Sequence, residues 1–312
     1  MTQLKVCFIG IGSIAKRHIR NLQAICRERN IVLQMDAFRR SEKDSATENI
    51  INVYSNVEQM PDNYDAIFIT NPTDLHLETL KTYHEKGKNF FIEKPVTSLR
   101  QLEEAESFRV RKESVYYVAA PLRYNAVIQW VKQNVEPKEV ISIRSISSSY
   151  LPDWRPGQDY RTTYSAHRDM GGGVSIDLIH EWDYITYLFG WPENVHGFIG
   201  KKSGLEIDSD DYAIYIAEFE DKIAELHLDY FGRKAIREIQ LFTKEDTIIG
   251  DIANNRIQFL KSGKMIDFQE ERDDYQRREL SYFLDMIIGR KKTEDGYHHG
   301  LDVLKLTQGI TK

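Results

Sequence analysis

The sequence predicts an α/β protein, with an N-terminal doubly wound parallel sheet followed by an α+β domain that has a large, mostly antiparallel open sheet. Apolar strands alternate with amphipathic helices in the first part of the chain, and Gly10 and Gly12 separate the first strand from the first helix. The later part consists mainly of β-like segments with hairpin-type breaks. Because 312 residues suffice for two cores, we place the division between residues 1–122 and residues 123–312.

The N-terminal elements alternate between strand and helix, which implies right-handed crossovers and a parallel sheet. Apolar runs predict strands at residues 4–9, 31–38, 65–69, 89–92 and 115–120. Helices are predicted at residues 14–28, 75–85 and 99–112. In the first helix, the side that faces the sheet is marked by the spacing of Ile14, His18, Leu22 and Ile25.

The C-terminal elements are mostly strands. A helix at residues 126–134 precedes β-like segments at residues 139–150, 195–201, 211–219, 223–230, 237–242 and 247–251. Two further helices, at residues 173–189 and 275–288, are predicted to pack on this sheet.

The composition narrows the class of protein. A formal net charge of −6 argues against general nucleic-acid binding. No apolar run reaches the roughly 18 residues of a membrane span, so we expect a soluble cytoplasmic protein. Cys7 and Cys26 are expected to be buried thiols. His298 and His299 lie in a polar turn without a second cluster, and we expect no metal site.

The glycine pair after the first strand indicates a dinucleotide-binding turn. Gly10 and Gly12 allow a pyrophosphate to approach the N-terminus of the next helix, where Ser13 and Ile14 offer unpaired N–H groups. The turn therefore predicts a Rossmann domain.

The end of the second strand bears on the choice of cofactor. An acidic residue there would bind the adenosine 2′-hydroxyl of NAD, whereas arginine would favour the 2′-phosphate of NADP. The chain has Arg39, Arg40 and Ser41 at this point, and Asp36 falls about three residues earlier. We therefore favour NADP, while Asp36 keeps NAD open.

Two further segments carry chemistry. Glu93-Lys94-Pro95 follows a parallel strand on its carboxyl side, where ligands bind, so Lys94 can donate to a substrate oxygen and Glu93 can orient it. In Gly171–His180, three glycines precede Asp177 and His180. These two side chains are expected on one helix face, where they could transfer a proton.

Together these segments resemble the Gfo/Idh/MocA family of oxidoreductases. The resemblance extends over nearly the whole chain, through Gly10–Ala15, Asn71-Pro72 with His76, Glu93-Lys94-Pro95, Gly171–His180, Asp183, Gly190 and Glu294-Asp295-Gly296. It implies hydride transfer at a secondary alcohol or ketone of a sugar or related compound. It also implies a second domain whose sheet forms the interface of a homodimer or homotetramer.

The resemblance further implies roles for single residues. Lys94, Asp177 and His180 match the family's catalytic residues, with His180 as the general acid/base and the other two orienting the reacting oxygen and sharing the proton. The family usually has three residues between the aspartate and the histidine, and this chain has two, which leaves their division of roles open. The other cofactor-binding candidates are Thr70, Asn71, Pro72, His76, Glu93 and Arg123.

A loop rich in arginine and aromatic residues follows residues 139–150. Its aromatic faces can pack against a sugar ring, and its arginines can pair with a carboxylate or phosphate. The resemblance implies instead that Trp154 and Arg155 lie near the cofactor, and Tyr124, Arg161 and Tyr164 are candidates for substrate contacts. The loop resembles that of family members from bacterial surface-glycan biosynthesis, which implies an anionic or nucleotide-linked sugar. Two alternatives stay open: a regulator that senses NAD(P) or a sugar without turnover, and a redox-neutral enzyme with tightly held cofactor.

Overall fold

The computed structural model describes residues 2–39, 49–292 and 294–311. The chain divides into two compact units, Met1–Ala119 with Arg272–Leu301 and Ala120–Glu271 with Asp302–Lys312. The division after Ala119 lies close to the predicted one. The assignment of residues 272–301 differs from the prediction. We placed them in the second domain, but they belong to the first unit. Within the described ranges, no helix is both long and apolar enough to cross a membrane.

The first unit contains a parallel sheet. Its strands are β1 Gln3–Ile9, β2 Val32–Phe38, β3 Asn52–Tyr54, β4 Tyr64–Ile69, β5 Gly87–Ile92 and β6 Tyr116–Val118. They lie in the order β3-β2-β1-β4-β5-β6, and all neighbours are parallel. The order reverses between β1 and β4, so the loops after these strands flank a crevice at the carboxyl edge of the sheet.

The helices are distributed over both units. They are α1 Ser13–Glu28, α2 His76–Tyr83, α3 Leu102–Glu106, α4 Ala126–Asn134, α5 Val174–Asp177, α6 His180–Phe189, α7 Arg272–Ile287 and α8 Gly296–Leu306. Helix α3 is shorter than the predicted segment at residues 99–112, because a 3₁₀ turn, Leu99–Gln101, precedes it and the helix already ends at Glu106. Helix α8 was not predicted.

Helix α7 packs into the core of the first unit. The ring of Phe283 lies 5.8 Å from that of Phe68 and 5.3 Å from that of Phe91, between ring centroids. Phe68 in turn stacks on Phe8 at 4.5 Å. The prediction that this helix covers the second sheet is therefore wrong. Helical periodicity identifies an apolar stripe but not the sheet that the stripe covers.

The second unit contains a mostly antiparallel sheet. Its strands are β7 Val140–Tyr150, β8 Asn194–Gly200, β9 Tyr212–Glu218, β10 Ile223–Asp229, β11 Phe231–Thr243, β12 Thr247–Asp251, β13 Arg256–Phe259 and β14 Met265–Asp267. They lie in the order β14-β13-β12-β11-β7-β10-β9-β8, and only the pairing of β10 with β7 is parallel among the described strands of this sheet. Helix α6 packs on one face through Trp182, whose ring lies 5.2 Å from that of Tyr215.

Candidate active site

Gly10 and Gly12, in the turn after β1, have different environments. Gly10 has a φ of +88°, and a Cβ atom there would lie 2.9 Å from the Cα atom of Asn71. Gly12 is the extended N-cap of α1, and a Cβ atom there would have no neighbour within 4 Å. Gly10 therefore permits a left-handed turn against the loop after β4, and Gly12 leaves open space above the helix.

The N-terminus of α1 suits an anion. No side chain caps it, and its first turn has no acidic residue. The first N–H groups of a helix lack intrahelical partners, and the helix dipole adds positive potential at that end. The predicted residues Gly10, Gly12, Ser13 and Ile14 thus fit the pyrophosphate of a dinucleotide.

The loop after β4 is tied to its neighbours. Thr70 Oγ1 donates to the carbonyl oxygen of Gly10 at 2.8 Å, and Asn71 Nδ2 donates to Thr79 Oγ1 at 2.7 Å. Asn71 Oδ1 is buried and has no hydrogen-bond partner within the described ranges. Such an orphaned acceptor beside Gly10 is consistent with a ligand donor at this point.

His76 joins the loops that follow β4 and β5. Its Nε2 lies 2.9 Å from the carbonyl oxygen of Asn71, and its Nδ1 lies 2.9 Å from that of Pro95. Burial lowers the pKa of His76, although these two carbonyls and Glu93 act in the opposite direction. The buried ring therefore holds the two loops together, next to Pro72 at the start of the helical segment.

Asp36, near the end of β2, does not face the edge of the sheet where the cofactor is predicted to bind. Asp36 is buried and accepts hydrogen bonds from Tyr64 Oη at 2.7 Å and from Asn52 Nδ2 at 2.9 Å. Arg39 directly follows the strand, and its buried Nε has no partner in the described part of the chain. Arg40 and Ser41 lie outside the described residues. The Asp36 carboxylate is thus engaged inside the unit, which weakens the case for it as a ribose ligand.

Glu93 and Lys94 follow β5 at the same edge of the sheet. Glu93 Oε1 lies 2.6 Å from Nε2 of His18, a residue of α1. Burial would raise the pKa of Glu93, but the His18 hydrogen bond and the charges of His18, Lys94 and His76 together lower it. The contact between His18 and Glu93 was not predicted.

In the second unit, Asp177 and His180 lie on separate helical segments. Asp177 ends α5 and His180 begins α6, so the single predicted helix at residues 173–189 is wrong. At the junction, Ile179 N donates to the carbonyl oxygen of Ile176, and Glu181 N donates to that of Leu178. These i to i−3 bonds tighten the chain between the two residues.

Two tyrosines bond to the Asp177 carboxylate. Tyr230 Oη donates to Oδ2 at 2.6 Å, and the Tyr164 hydroxyl is also bonded to Asp177. The negative charge of Asp177 and burial raise the pKa of Tyr164, while burial is the main cause for Tyr230. Both phenols are therefore protonated donors at neutral pH. Tyr230 was not predicted as a site residue.

The loop after β7 contributes to this cluster. The Trp154 ring lies 5.2 Å from that of Tyr230, edge to face, and Trp154 Nε1 donates to Ser149 Oγ at 2.9 Å. The Arg155 guanidinium lies 5.4 Å above the Tyr164 ring. Arg161 instead makes ion pairs with exposed Asp159 and Glu206.

Arg123 is paired within the second unit. Its Nε and Nη2 atoms lie 2.9 and 2.6 Å from the two carboxylate oxygens of Asp183, one turn after His180. This bidentate pair connects the turn Pro121–Tyr124, which includes half-buried Tyr124, to α6. It therefore helps to fix the helix that begins with His180.

Two sequence profiles of one family match the chain. The profile of the oxidoreductase family Gfo/Idh/MocA with an NAD-binding Rossmann fold matches residues 4–119. The profile of the Gfo/Idh/MocA C-terminal domain matches residues 128–249.

Curated relatives come from Bacillus subtilis. The chain is 31% identical over 194 residues to the uncharacterized oxidoreductase YrbE, a match that covers 60% of this chain and 54% of that protein. It is 25% identical over 233 residues to scyllo-inositol 2-dehydrogenase (NAD(+)), with 71% and 66% of the two chains covered. The chain thus spans between 54% and 66% of the length of these relatives.

Solved structures share the fold. UDP-N-acetylglucosamine 3-dehydrogenase GnnA from Acidithiobacillus ferrooxidans matches with a TM-score of 0.80 and 20% identity, over 99% of this chain and 96% of that one. Levoglucosan dehydrogenase in complex with NADH matches with a TM-score of 0.83 and 17% identity, over the same shares.

Proposed function

The chain belongs to the Gfo/Idh/MocA family of oxidoreductases, and from this premise we propose that it is an NAD(P)-dependent enzyme that oxidises or reduces a sugar. A hydride would pass between the nicotinamide and a secondary alcohol or ketone. The observation that carries the proposal is the uncapped N-terminus of α1 beside open Gly12, at the same sheet edge as Lys94.

The residues of the chain supply the proton chemistry. When bound, the nicotinamide accepts or supplies a hydride at its C4 atom. In the oxidising direction, the carbon bearing the hydroxyl loses a hydride and the hydroxyl loses a proton. Lys94 donates a hydrogen bond to the reacting oxygen, and His180 takes up the proton. Asp177, which already accepts hydrogen bonds from two phenols, orients the reacting groups.

We favour NADP as the cofactor. Arg39 follows β2 directly, with Arg40 and Ser41 next in the sequence, and guanidinium groups pair well with phosphate. Asp36 accepts from Tyr64 and Asn52, so its carboxylate is engaged away from a ribose hydroxyl. Fluorescence titration should give a lower Kd for NADPH than for NADH; tighter binding of NADH would reverse this assignment.

The substrate class is a sugar or a nucleotide-linked sugar, in the context of bacterial surface-glycan biosynthesis. Trp154 and Tyr164 provide aromatic faces of the kind that pack on sugar rings, and the Arg155 guanidinium can pair with an anionic group. The names of the relatives agree with this class, since they include a UDP-N-acetylglucosamine 3-dehydrogenase and an inositol dehydrogenase.

Lys94→Ala tests the function, and Lys88→Ala is its control. Lys88 belongs to β5, is largely exposed and pairs with Asp65 at 3.0 Å. We expect Lys94→Ala to lower turnover about 100-fold or more, as for loss of an acid–base group, with the Kd for NADPH little changed. Lys88→Ala should retain wild-type turnover. The assay uses free polyols, aldoses and UDP-linked sugars, with NADPH absorbance and product chromatography as readouts.

The same assay separates the alternatives. Wild-type turnover in the Lys94→Ala variant would overturn the proposed chemistry. Cofactor binding without turnover of any compound in the panel would favour a sensor. Product formation without net change in NADPH, in a protein purified with bound cofactor, would favour a redox-neutral enzyme.

A further inference from the structure

We infer that His18 is a positioning residue for Lys94 and acts through Glu93, an inference that rests on the function proposed for Lys94. His18 belongs to α1, whose N-terminus would bind the cofactor, and Glu93 directly precedes Lys94. A single side-chain bond therefore connects the cofactor helix to the segment that bears the lysine.

The bond is short and enclosed. Nε2 of His18 lies 2.6 Å from Oε1 of Glu93, and the side chains are 1% and 15% exposed. Because an ionised carboxylate only accepts, the imidazole is the donor. The rest of the imidazole is surrounded by apolar rings, at 5.0 Å from Phe91 and 6.3 Å from Phe68. In this setting a charge-assisted bond constrains the carboxylate strongly.

Packing alone does not account for a histidine at this position. Its Nδ1 is buried without a hydrogen-bond partner among the described residues. A buried polar atom of this kind is unfavourable, and an apolar side chain of similar size would avoid it. The bond from Nε2 to Glu93 therefore explains why this position holds a histidine.

Holding Glu93 matters for the charge of Lys94. The charged or titratable groups that act on Glu93 are His18 from α1, His76 from α2 and its chain neighbour Lys94. When His18 donates a hydrogen bond to Glu93, the imidazole stabilises part of the negative charge of the Glu93 carboxylate. Without His18, the carboxylate can move toward Lys94, displace the ammonium and raise the pKa of Lys94.

The test compares His18→Phe with His18→Gln, and His84→Gln is the control. Phenylalanine removes the donor, whereas glutamine keeps an N–H₂ group that can reach Glu93. His84 is a partly buried histidine of the same unit, bonded through Nε2 to Tyr116 Oη at 2.7 Å. The readouts are kcat and KM as functions of pH, the Kd for NADPH and the melting temperature.

We expect His18→Phe to lower kcat by roughly 10- to 100-fold, the scale of a misplaced catalytic group, with little change in the Kd for NADPH. The basic limb of its kcat–pH profile should move to higher pH. His18→Gln should recover most of kcat and the wild-type profile, and His84→Gln should leave both unchanged. An unshifted profile in His18→Phe, or equal losses of kcat in both His18 variants, would overturn the inference.

The proposed function can fail separately. If Lys94→Ala keeps wild-type turnover, the function of Lys94 is wrong whatever the His18 variants do. If Lys94→Ala is inactive and His18→Phe is unaffected, only the positioning role of His18 is wrong.

Discussion

The Asp177 carboxylate is held by two phenols that come from different parts of the second unit. Tyr164 lies in the loop after β7, and Tyr230 directly follows β10. The pKa values of both phenols are raised above the ordinary value, so both hydroxyls stay protonated as donors to the carboxylate. Because its carboxylate is engaged by two donors, we propose that Asp177 is an orienting residue and that His180 takes up the proton, a division that the spacing in the sequence left open.

Tyr230→Phe tests this division, with Tyr184→Phe as a matched control. Tyr184 is also buried, and its hydroxyl bonds to Ser145 Oγ at 2.7 Å, so each substitution removes one buried hydroxyl. Both variants should lose about 1–2 kcal/mol in the free energy of unfolding, measured in urea. Only Tyr230→Phe should also lower kcat, because it releases Asp177. Equal kcat values in the two variants would show that the Tyr230 bond is structural.

The residues whose place in the fold the sequence predicts are those with a local signal. Gly10 and Gly12 interrupt a strand-to-helix connection, and Lys94 follows an apolar run, so each is recognisable from its neighbours. His18 and Tyr230 are different, because their partners are 75 and 53 residues away. Spacing along one element predicts contacts within that element only. A buried hydrogen bond between elements that are distant in sequence can be found only in the three-dimensional structure.

Helix α6 is fixed to the rest of the second unit by two ion pairs. Asp183 pairs with Arg123, and fully buried Glu181 accepts from Arg237 Nε on β11 at 2.8 Å. Burial raises the pKa of Glu181, and the Arg237 charge opposes that effect. Because His180 immediately precedes Glu181, the pair also affects the start of the helix.

Arg237→Met should leave Glu181 as an uncompensated buried charge. We expect a loss of about 3–5 kcal/mol in the free energy of unfolding at pH 7. A carboxyl group whose folded pKa is raised contributes stability below its usual value of 4.5 and loses it as the pH rises through the folded value. The deficit should therefore be smaller at pH 5 than at pH 7.

The double variant Glu181→Gln/Arg237→Met checks the cause. It leaves no unpaired charge at position 181, so it should recover much of the stability and lose the pH dependence of the deficit. Urea unfolding of the three proteins at pH 5, 6 and 7 measures both effects. A deficit that is constant with pH in Arg237→Met would mean that lost packing, and not the Glu181 charge, is responsible.

The sequence predicts whether an element is a helix or a strand better than it predicts what the element packs against or whether the element is continuous. Helix α4 and strand β12 lie where the patterns place them. The break between α5 and α6 was not predicted, because the apolar pattern continues through Leu178 and Ile179. The short strands β3, β13 and β14 were missed as well, since three or four residues give too little alternation to recognise.

For the whole molecule, we propose that the second sheet mediates self-association, as a homodimer or homotetramer. The face opposite α6 carries a row of register-paired side chains, Phe198, Ile214, His227, Ile146 and Glu238, one from each of five adjacent strands. Phe198 is 68% exposed in the isolated chain. Phe198, on the edge strand β8, and its register neighbour Ile214 form an apolar patch of the kind found at interfaces.

Phe198→Glu should dissociate this assembly. A carboxylate at this position of the proposed interface would be desolvated without a partner, which costs more than the lost area alone. Ile51→Glu is the control, because Ile51 is 61% exposed but belongs to the first unit. Sedimentation velocity should give a multiple of the 36.5 kDa chain mass for the wild type and Ile51→Glu, and the chain mass for Phe198→Glu. A monomeric wild type, or an unchanged mass in Phe198→Glu, would rule out this face as the interface.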